Sequence, residues 1–132
     1  MVLLIIATLA ALAWPKYKGI QEKALNREAK ASLALIRAAE KIYRLEEGFY
    51  YPYSPPTTGV IADINSYLKL SLPEITPAIW TINLNTTTPT AEFGTAIRNP
   101  AANAGDGRTW TITFPGDDTT NPPTCSGSPN CS

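Results

Sequence analysis

The fold is decided by residues 1–24, MVLLIIATLAALAWPKYKGIQEKA, where an uncharged apolar run changes to a charged one at Pro15. No charged side chain lies between Met1 and Trp14. As an α-helix this run would be about 21 Å long, roughly six residues short of the hydrocarbon thickness of a membrane. It also lacks the basic residues that precede the apolar core of a secretory signal peptide. Residues 1–15 are therefore predicted to be an apolar anchor helix, and a full membrane span would require residues before Met1.

Residues 16–48 are predicted to continue this helix in amphipathic form. Lys16–Glu47 contains no proline and a single glycine, and strong helix formers dominate it. Gly48 is expected to end the helix. Apolar residues recur at spacings of three, four and seven, which places an apolar stripe on one side: Ile20, Ala24, Ala31, Leu35, Ala38, Ile42 and Leu45. We expect Leu35, Ile42 and Leu45 to be buried beneath a sheet of the same chain.

The two segments together predict one helix of about 45 residues, roughly 70 Å long. Because this is too long to be buried in a small domain, its first half is expected to project. Pro15 lies inside the helix and is expected to kink it or unwind it locally. A helix that begins at Pro15 is the alternative. Glu40 and Arg44, four residues apart, are expected to form a favourable charge pair.

Residues 49–132 are predicted to form a small β head. The segments IWTINLN (79–85) and TWTITFP (109–115) alternate apolar with polar residues, which is typical of strands with one buried face. A third strand is predicted through Phe93 and Ile97, a short helix at about Val60–Leu68, and loop from Pro115 onward. The fold class is therefore α+β, with about three antiparallel strands packed on the second half of the helix. The buried strand residues are expected to be Trp80, Ile82, Leu84, Trp110, Ile112 and Phe114.

The composition argues against catalysis. The chain has no histidine, and no Gly-rich phosphate loop, zinc-protease motif or nucleophile elbow is present in the sequence. We therefore expect neither enzymatic activity nor a cofactor. Asp117 and Asp118 could ligate calcium, but a solvated turn is the preferred interpretation. Eight of the eleven basic residues lie between Lys16 and Arg44. Because they directly follow an apolar helix, they are expected to meet anionic headgroups or partner carboxylates rather than to form a specific nucleic-acid site.

Two features of the head concern covalent chemistry. Cys125 and Cys131 are the only cysteines, and without histidine they cannot supply the four ligands of a structural zinc site. The Ser, Gly, Pro and Asn residues between them are typical of a solvated turn, so a disulfide in an oxidising compartment is predicted in preference to a free pair. Asn85-Thr86-Thr87 is a sequon, which makes Asn85 a candidate glycosylation site.

Residues 1–49 resemble the N-terminal region of bacterial type IV pilins and of type II secretion pseudopilins. The resemblance rests on the apolar run, on Pro15-Lys16-Tyr17 just after it, and on the alanine- and charge-rich continuation that ends in EEGFYYP. It covers a little over a third of the chain. The N-methylated first residue of that family and the glutamate that follows it are not in this sequence, and Thr8 stands where the family commonly has glycine.

The resemblance implies a pilin-like fold and a structural subunit of an extracellular type IV pilus, which serves adhesion, motility or DNA uptake. Such a subunit would reside in the bacterial inner membrane before assembly, and its partners would be copies of itself and the pilus assembly machinery. A helix that is apolar on all sides is stable in lipid or in a bundle of its copies. The predicted filament-core residues are Val2, Leu3, Leu4, Ile5, Ile6, Ala10, Leu12 and Trp14.

Trp14 and Tyr17 are expected where the filament core meets the heads, because their polar tips suit an apolar-to-wet boundary. Two alternative functions stay open at this stage. One is a pseudopilin of a type II secretion pseudopilus. The other is a monomeric membrane-anchored binding module that recognises a ligand through the tyrosine-rich loop after the helix, which contains Phe49, Tyr50, Tyr51 and Tyr53.

Overall fold

The chain folds as an α+β structure in which a long N-terminal helix is followed by a five-stranded antiparallel sheet. The computed structural model describes residues 2–55, 57–74, 79–87, 92–99 and 106–127, with side chains from residue 17 onward. Helix α1 comprises the 46 residues Val2–Glu47 and is continuous through Pro15, so the alternative of a helix beginning at Pro15 is wrong. Local unwinding at this proline is likewise not observed. Gly48 ends the helix with a φ of +89°, which favours glycine.

The sheet contains more strands than the sequence predicts. Its strands are β1 (Thr57–Thr58), β2 (Trp80–Asn85), β3 (Phe93–Arg98), β4 (Thr109–Thr113) and β5 (Thr124–Ser126), and they neighbour one another in chain order. The expectations of about three strands and of loop from Pro115 onward are therefore wrong. The two additional strands are the sheet edges, and at two and three residues they are too short to show a period-two pattern.

The inner face of the sheet forms most of the core. The six apolar strand residues predicted to be buried are all buried, and Leu33 and Ile36 of α1 pack against them. Helix and sheet approach closely at Gly94. A Cβ atom on this residue would lie 3.3 Å from Leu84 Cδ2 and 3.5 Å from Leu33 Cδ2. A larger side chain would therefore hold α1 away from the sheet.

Helix α2 (Ile61–Leu68) lies between β1 and β2 in the chain, as predicted within one residue. It contributes Ile64 and Leu68 to the core. The Asn65 side chain donates to the Leu72 carbonyl at 2.9 Å and accepts from the Leu72 N–H at 2.7 Å. This pair of hydrogen bonds fixes the segment after α2 and places Leu72 in the core.

The side of α1 that faces the sheet differs from the predicted one. Leu35, Ile42 and Leu45, expected beneath the sheet, are exposed. Successive residues turn by about 100° around a helix, so the buried residues lie on the opposite side from the predicted stripe. The buried side chains of α1 are instead a set that mixes apolar and polar residues: Asn26, Ala29, Leu33, Ile36, Arg37, Ala39 and Glu40.

Candidate assembly surface

The most prominent surface feature is the apolar stripe on the outward side of α1. Ile20, Leu35, Ile42 and Leu45 are 67%, 49%, 59% and 87% exposed, and the stripe alanines Ala24, Ala31 and Ala38 are exposed as well. Isolated exposed apolar residues are common on protein surfaces, whereas a contiguous series usually marks an interaction site. The stripe belongs to the same helix as the uncharged run from residue 2 to residue 14. Helix α1 therefore has one side packed on its own sheet and a second apolar side without cover among the described residues.

The stripe borders a groove between α1 and the α2 segment. The groove has a volume of about 280 Å³, and its walls include Leu35 and Ile42 of α1 together with Tyr67 and Leu70. Its charged lining residues, Glu46 and Lys69, have opposite signs. The groove thus widens the apolar surface of α1 from a narrow stripe to a shallow trough.

An aromatic row lies beside this groove. Ring centroids are separated by 4.5 Å between Tyr53 and Phe49, 6.0 Å between Phe49 and Tyr43, 5.9 Å between Tyr43 and Tyr51, and 4.7 Å between Tyr51 and Tyr67. Tyr43 and Tyr67 also line the groove. Because Tyr53 and Tyr67 are exposed, the row extends the apolar surface beyond the end of the helix.

Two buried arginines attach α1 to one end of the sheet. Arg108 donates to the Asp106 carboxylate at 2.9 Å and to the Asn26 amide oxygen at 3.1 Å, and it also pairs with Glu22. Arg98 lies 3.4 Å from the Asp106 carboxylate and 3.7 Å from that of Glu22. The hydrogen bond from Arg108 lowers the pKa of Asp106 below its usual range. Residues 17–21 are exposed, so Glu22 marks the point where the described side chains of α1 meet the head.

A third arginine, Arg37, attaches the loop between β4 and β5. Its guanidinium donates to the Thr113 carbonyl at 2.8 Å, to the Asp118 carboxylate at 2.9 Å and to the Asn121 carbonyl at 2.5 Å. The neighbouring Asp117 accepts from the backbone N–H groups of the following turn, which lowers its pKa to about 2. The described residues contain no cluster of three or more His, Cys, Asp or Glu that could hold a metal ion.

Glu40 is buried rather than paired with Arg44. Its Oε2 accepts from the Tyr51 N–H at 2.9 Å, whereas Arg44 donates to the Tyr50 hydroxyl at 3.0 Å. The predicted pair is therefore wrong, because Glu40 points to the sheet side of the helix. Burial raises the pKa of Glu40 to about 8, a rise opposed by the Tyr51 hydrogen bond and increased by the negative charge of Glu92. The carboxyl thus connects α1 to the start of the tyrosine-rich loop.

The structure describes only some of the remaining predicted site residues. The filament-core residues from Val2 to Trp14 lie in α1, but their side chains, like that of Pro15, lie outside those that the structure describes. Tyr17 is exposed. Cys125 lies in β5 and is disulfide-bonded, while Cys131 lies outside the described residues.

The predicted glycosylation site lies at the end of β2. Asn85 Oδ1 accepts from the Thr87 N–H at 2.9 Å and from the Thr87 hydroxyl at 2.5 Å. Its side chain is half-buried. Modification of this residue stays a prediction.

Sequence reasoning missed the second side of α1. Ala29, Leu33, Ile36 and Ala39 also recur at spacings of three and four, so the helix carries two apolar patterns on opposite sides. This shorter pattern could have been found from the sequence. The polar contacts of this side could not, since Arg108, Asp106 and the loop partners of Arg37 reach the helix only in the folded chain.

No protein-family model, curated protein or solved structure matches the chain. In the part of the chain that the structure describes, no helix has a stretch both long and apolar enough to cross a membrane.

Proposed function

We propose that this protein is a structural subunit of an extracellular type IV pilus, in which copies of helix α1 bundle to form the filament core. The observation that supports this most strongly is the double-sided character of α1. One side is satisfied by the sheet, and the other carries the exposed series Ile20, Leu35, Ile42 and Leu45. The exposed stripe of such a helix is stabilised by contact with a second apolar surface. The same stripe on another copy of the helix is such a surface.

The energetics favour the helix over the head as the main source of cohesion. Complete burial of an isoleucine or leucine side chain contributes roughly 1.5–3 kcal/mol. The four stripe residues are each about half or more exposed, and the same helix contains the uncharged run of residues 2–14. Exposed ion pairs between heads contribute at most about 1 kcal/mol each. The head is therefore proposed to set the register and the outer surface of the filament.

The anchoring of α1 suits such an assembly. Glu22 and Asn26 of the helix are held by Arg108, so polar contacts join the helix to the sheet from residue 22 onward. A fixed angle between helix and head is needed if each copy is to repeat the same contact along a helical polymer. Before assembly, the apolar half is proposed to reside in the bacterial inner membrane.

Adjacent substitutions on α1 test the proposal. Ile20 and Gln21 are both exposed, but only Ile20 lies on the stripe. Ile20→Asp is expected to reduce the yield of sheared surface filaments by about tenfold or more, because assembly would bury an unpaired carboxylate. Gln21→Asp, which adds the same charge one residue away, is expected to leave the yield unchanged. Electron microscopy of material sheared from cells measures both.

The controls for this experiment separate assembly from folding. Far-ultraviolet circular dichroism of each variant, purified in detergent, is expected to match that of the unchanged chain. If both variants polymerise like the unchanged chain, the helix-bundling account is wrong. Filaments that stay within the envelope would favour a secretion pseudopilus, and a chain that stays monomeric under all conditions would favour a membrane-anchored binding module.

A further inference from the structure

The outer face of the sheet has an unusual composition. Residues that point away from α1 alternate with the buried ones, and across the five strands they are threonine, asparagine and serine, with Phe93 and Ile97 as the apolar members. None of these outward strand residues is charged, and the one charged strand residue, Arg98, points to the buried face. The face can therefore offer many hydroxyl and amide hydrogen bonds but no strong electrostatic attraction.

One end of this face forms a cleft. The cleft has a volume of about 330 Å³. It lies between strands β2 and β3 on one side and β1 and the following Gly59 on the other. Threonine and asparagine side chains and the Phe93 ring form most of its lining. This volume is at the lower end of the range for small-molecule sites and corresponds to a ligand of one or two rings. No charged residue lines the cleft among the described residues.

Two amides in the cleft have hydrogen-bonding capacity to spare. Among the described residues the side chain of Asn83 makes no hydrogen bond, and a Cβ atom on Gly59 would lie within 2.3 Å of Asn83 Oδ1. The lack of a side chain at Gly59 therefore provides the space that the Asn83 amide occupies. Asn85 uses its Oδ1 for the backbone and hydroxyl of Thr87, which leaves its Nδ2 group to donate. Phe93 is the cross-strand partner of Asn85, so an aromatic ring lies directly beside these donors.

We propose that this cleft binds a neutral saccharide, with a sugar ring against Phe93 and its hydroxyls hydrogen-bonded to the amides of Asn83 and Asn85. A sugar ring presents an apolar C–H face and a rim of hydroxyls, which matches an aromatic ring flanked by amides and hydroxyls. The lack of charge disfavours sulfated or acidic sugars, whose ions would be desolvated without a partner. The same chemistry could come from a free saccharide or from a glycan attached to Nδ2 of Asn85 itself; an attached sugar would contact Phe93 and the Asn83 amide instead of accepting from Asn85. The proposal does not depend on polymerisation.

The free-ligand arm is an NMR titration. The full ¹⁵N-labelled chain, in a zwitterionic detergent that contains no sugar, is titrated with maltotriose and with tri-N-acetylchitotriose. We expect saturable shifts of the side-chain amides of Asn83 and Asn85 and of the Thr95 backbone amide. Asn83→Ala and Phe93→Ala are each expected to weaken binding about tenfold, since each removes one of the two recognition elements. Ile97→Ala, on the same face of β3 outside the cleft, is the matched control and is expected to bind like the unchanged chain.

The attached-glycan arm is intact-mass spectrometry of the chain from its native cells. An added hexose-type mass that disappears in Asn85→Gln identifies the attached source. The proposal is overturned if neither sugar shifts these amides up to about 50 mM and no glycan mass is found. It is equally overturned if both cleft variants bind the sugar with the affinity of the unchanged chain. Tryptophan fluorescence of each variant verifies that the head is folded.

Discussion

The buried carboxyl of Glu40 predicts a specific pH dependence of stability, which Glu40→Gln should remove. The side chain is 0% exposed, one oxygen accepts from Tyr51, and Oε1 has no hydrogen-bond partner in the described part of the chain. Its pKa is raised from 4.5 to about 8, mainly by burial. A glutamine has the same shape as the protonated acid, and its amide oxygen can accept the same hydrogen bond.

The sign follows from proton binding in the two states. Below pH 4.5 the carboxyl is protonated whether the chain is folded or unfolded, so its contribution to stability is fully present. Between pH 4.5 and about 8 the unfolded chain loses this proton and the folded chain keeps it, so stability falls as the pH rises. At 1.36 kcal/mol per unit of pKa, the complete loss is about 5 kcal/mol.

The assay is urea denaturation of the full chain in detergent, followed by tryptophan fluorescence, at pH values from 4.5 to 8. Other titrating groups contribute equally to the pH dependence of unfolding in both proteins. The difference between the two free energies of unfolding therefore isolates the contribution of Glu40. We expect Glu40→Gln to match the unchanged chain at the acidic end and to exceed its free energy of unfolding by several kcal/mol at the alkaline end. Glu28→Gln, at an exposed position of the same helix, is the control and should run parallel to the unchanged chain. Parallel profiles for the unchanged chain and Glu40→Gln would refute the reasoning.

Three further predictions concern the head. Arg108→Met should lower the free energy of unfolding by about 3–5 kcal/mol, because it leaves the buried Asp106 carboxylate without its main partner; a urea midpoint equal to that of the unchanged chain would contradict this. Gly94→Val should destabilise by about 1–3 kcal/mol, since its methyl groups would overlap side chains of the helix and the sheet, whereas Gly107→Val, whose Cβ would have no atom of the described residues within 4 Å, should cost less in thermal denaturation. Reduction of the disulfide at Cys125 should leave far-ultraviolet circular dichroism nearly unchanged, because β5 is a three-residue edge strand; global unfolding under mild reductant would count against it.

The sequence predicted those elements whose residues repeat at a regular period. Helix α1 and strands β2 and β4 have long runs of periodic apolar residues, and Gly48 supplies an unambiguous helix end. Strands β1 and β5 are held by pairing to their neighbours, which is information that two or three residues do not contain. They could not be predicted from local pattern.

The side of α1 that packs on the sheet could not be predicted from periodicity, for a different reason. Both sides of α1 carry apolar residues at helical spacing, and periodicity favours burial of the longer series, which includes Leu35 and Ile42 but is exposed. The sheet instead covers the side where Glu40 and Arg37 can reach loop backbone and Asp118. Which side packs depends on these partners, which are distant in sequence, and the periodicity alone does not encode it.

A helical reconstruction of assembled filaments by electron cryomicroscopy would show whether copies of the same helix cover the outward side of α1. In the isolated chain Ile20, Leu35 and Ile42 are 67%, 49% and 59% exposed. We expect the exposed fraction of each to fall below about one tenth in the filament, where each would contact α1 of neighbouring subunits. Filaments held together by contacts between heads, with these three side chains as exposed as in the isolated chain, would contradict it.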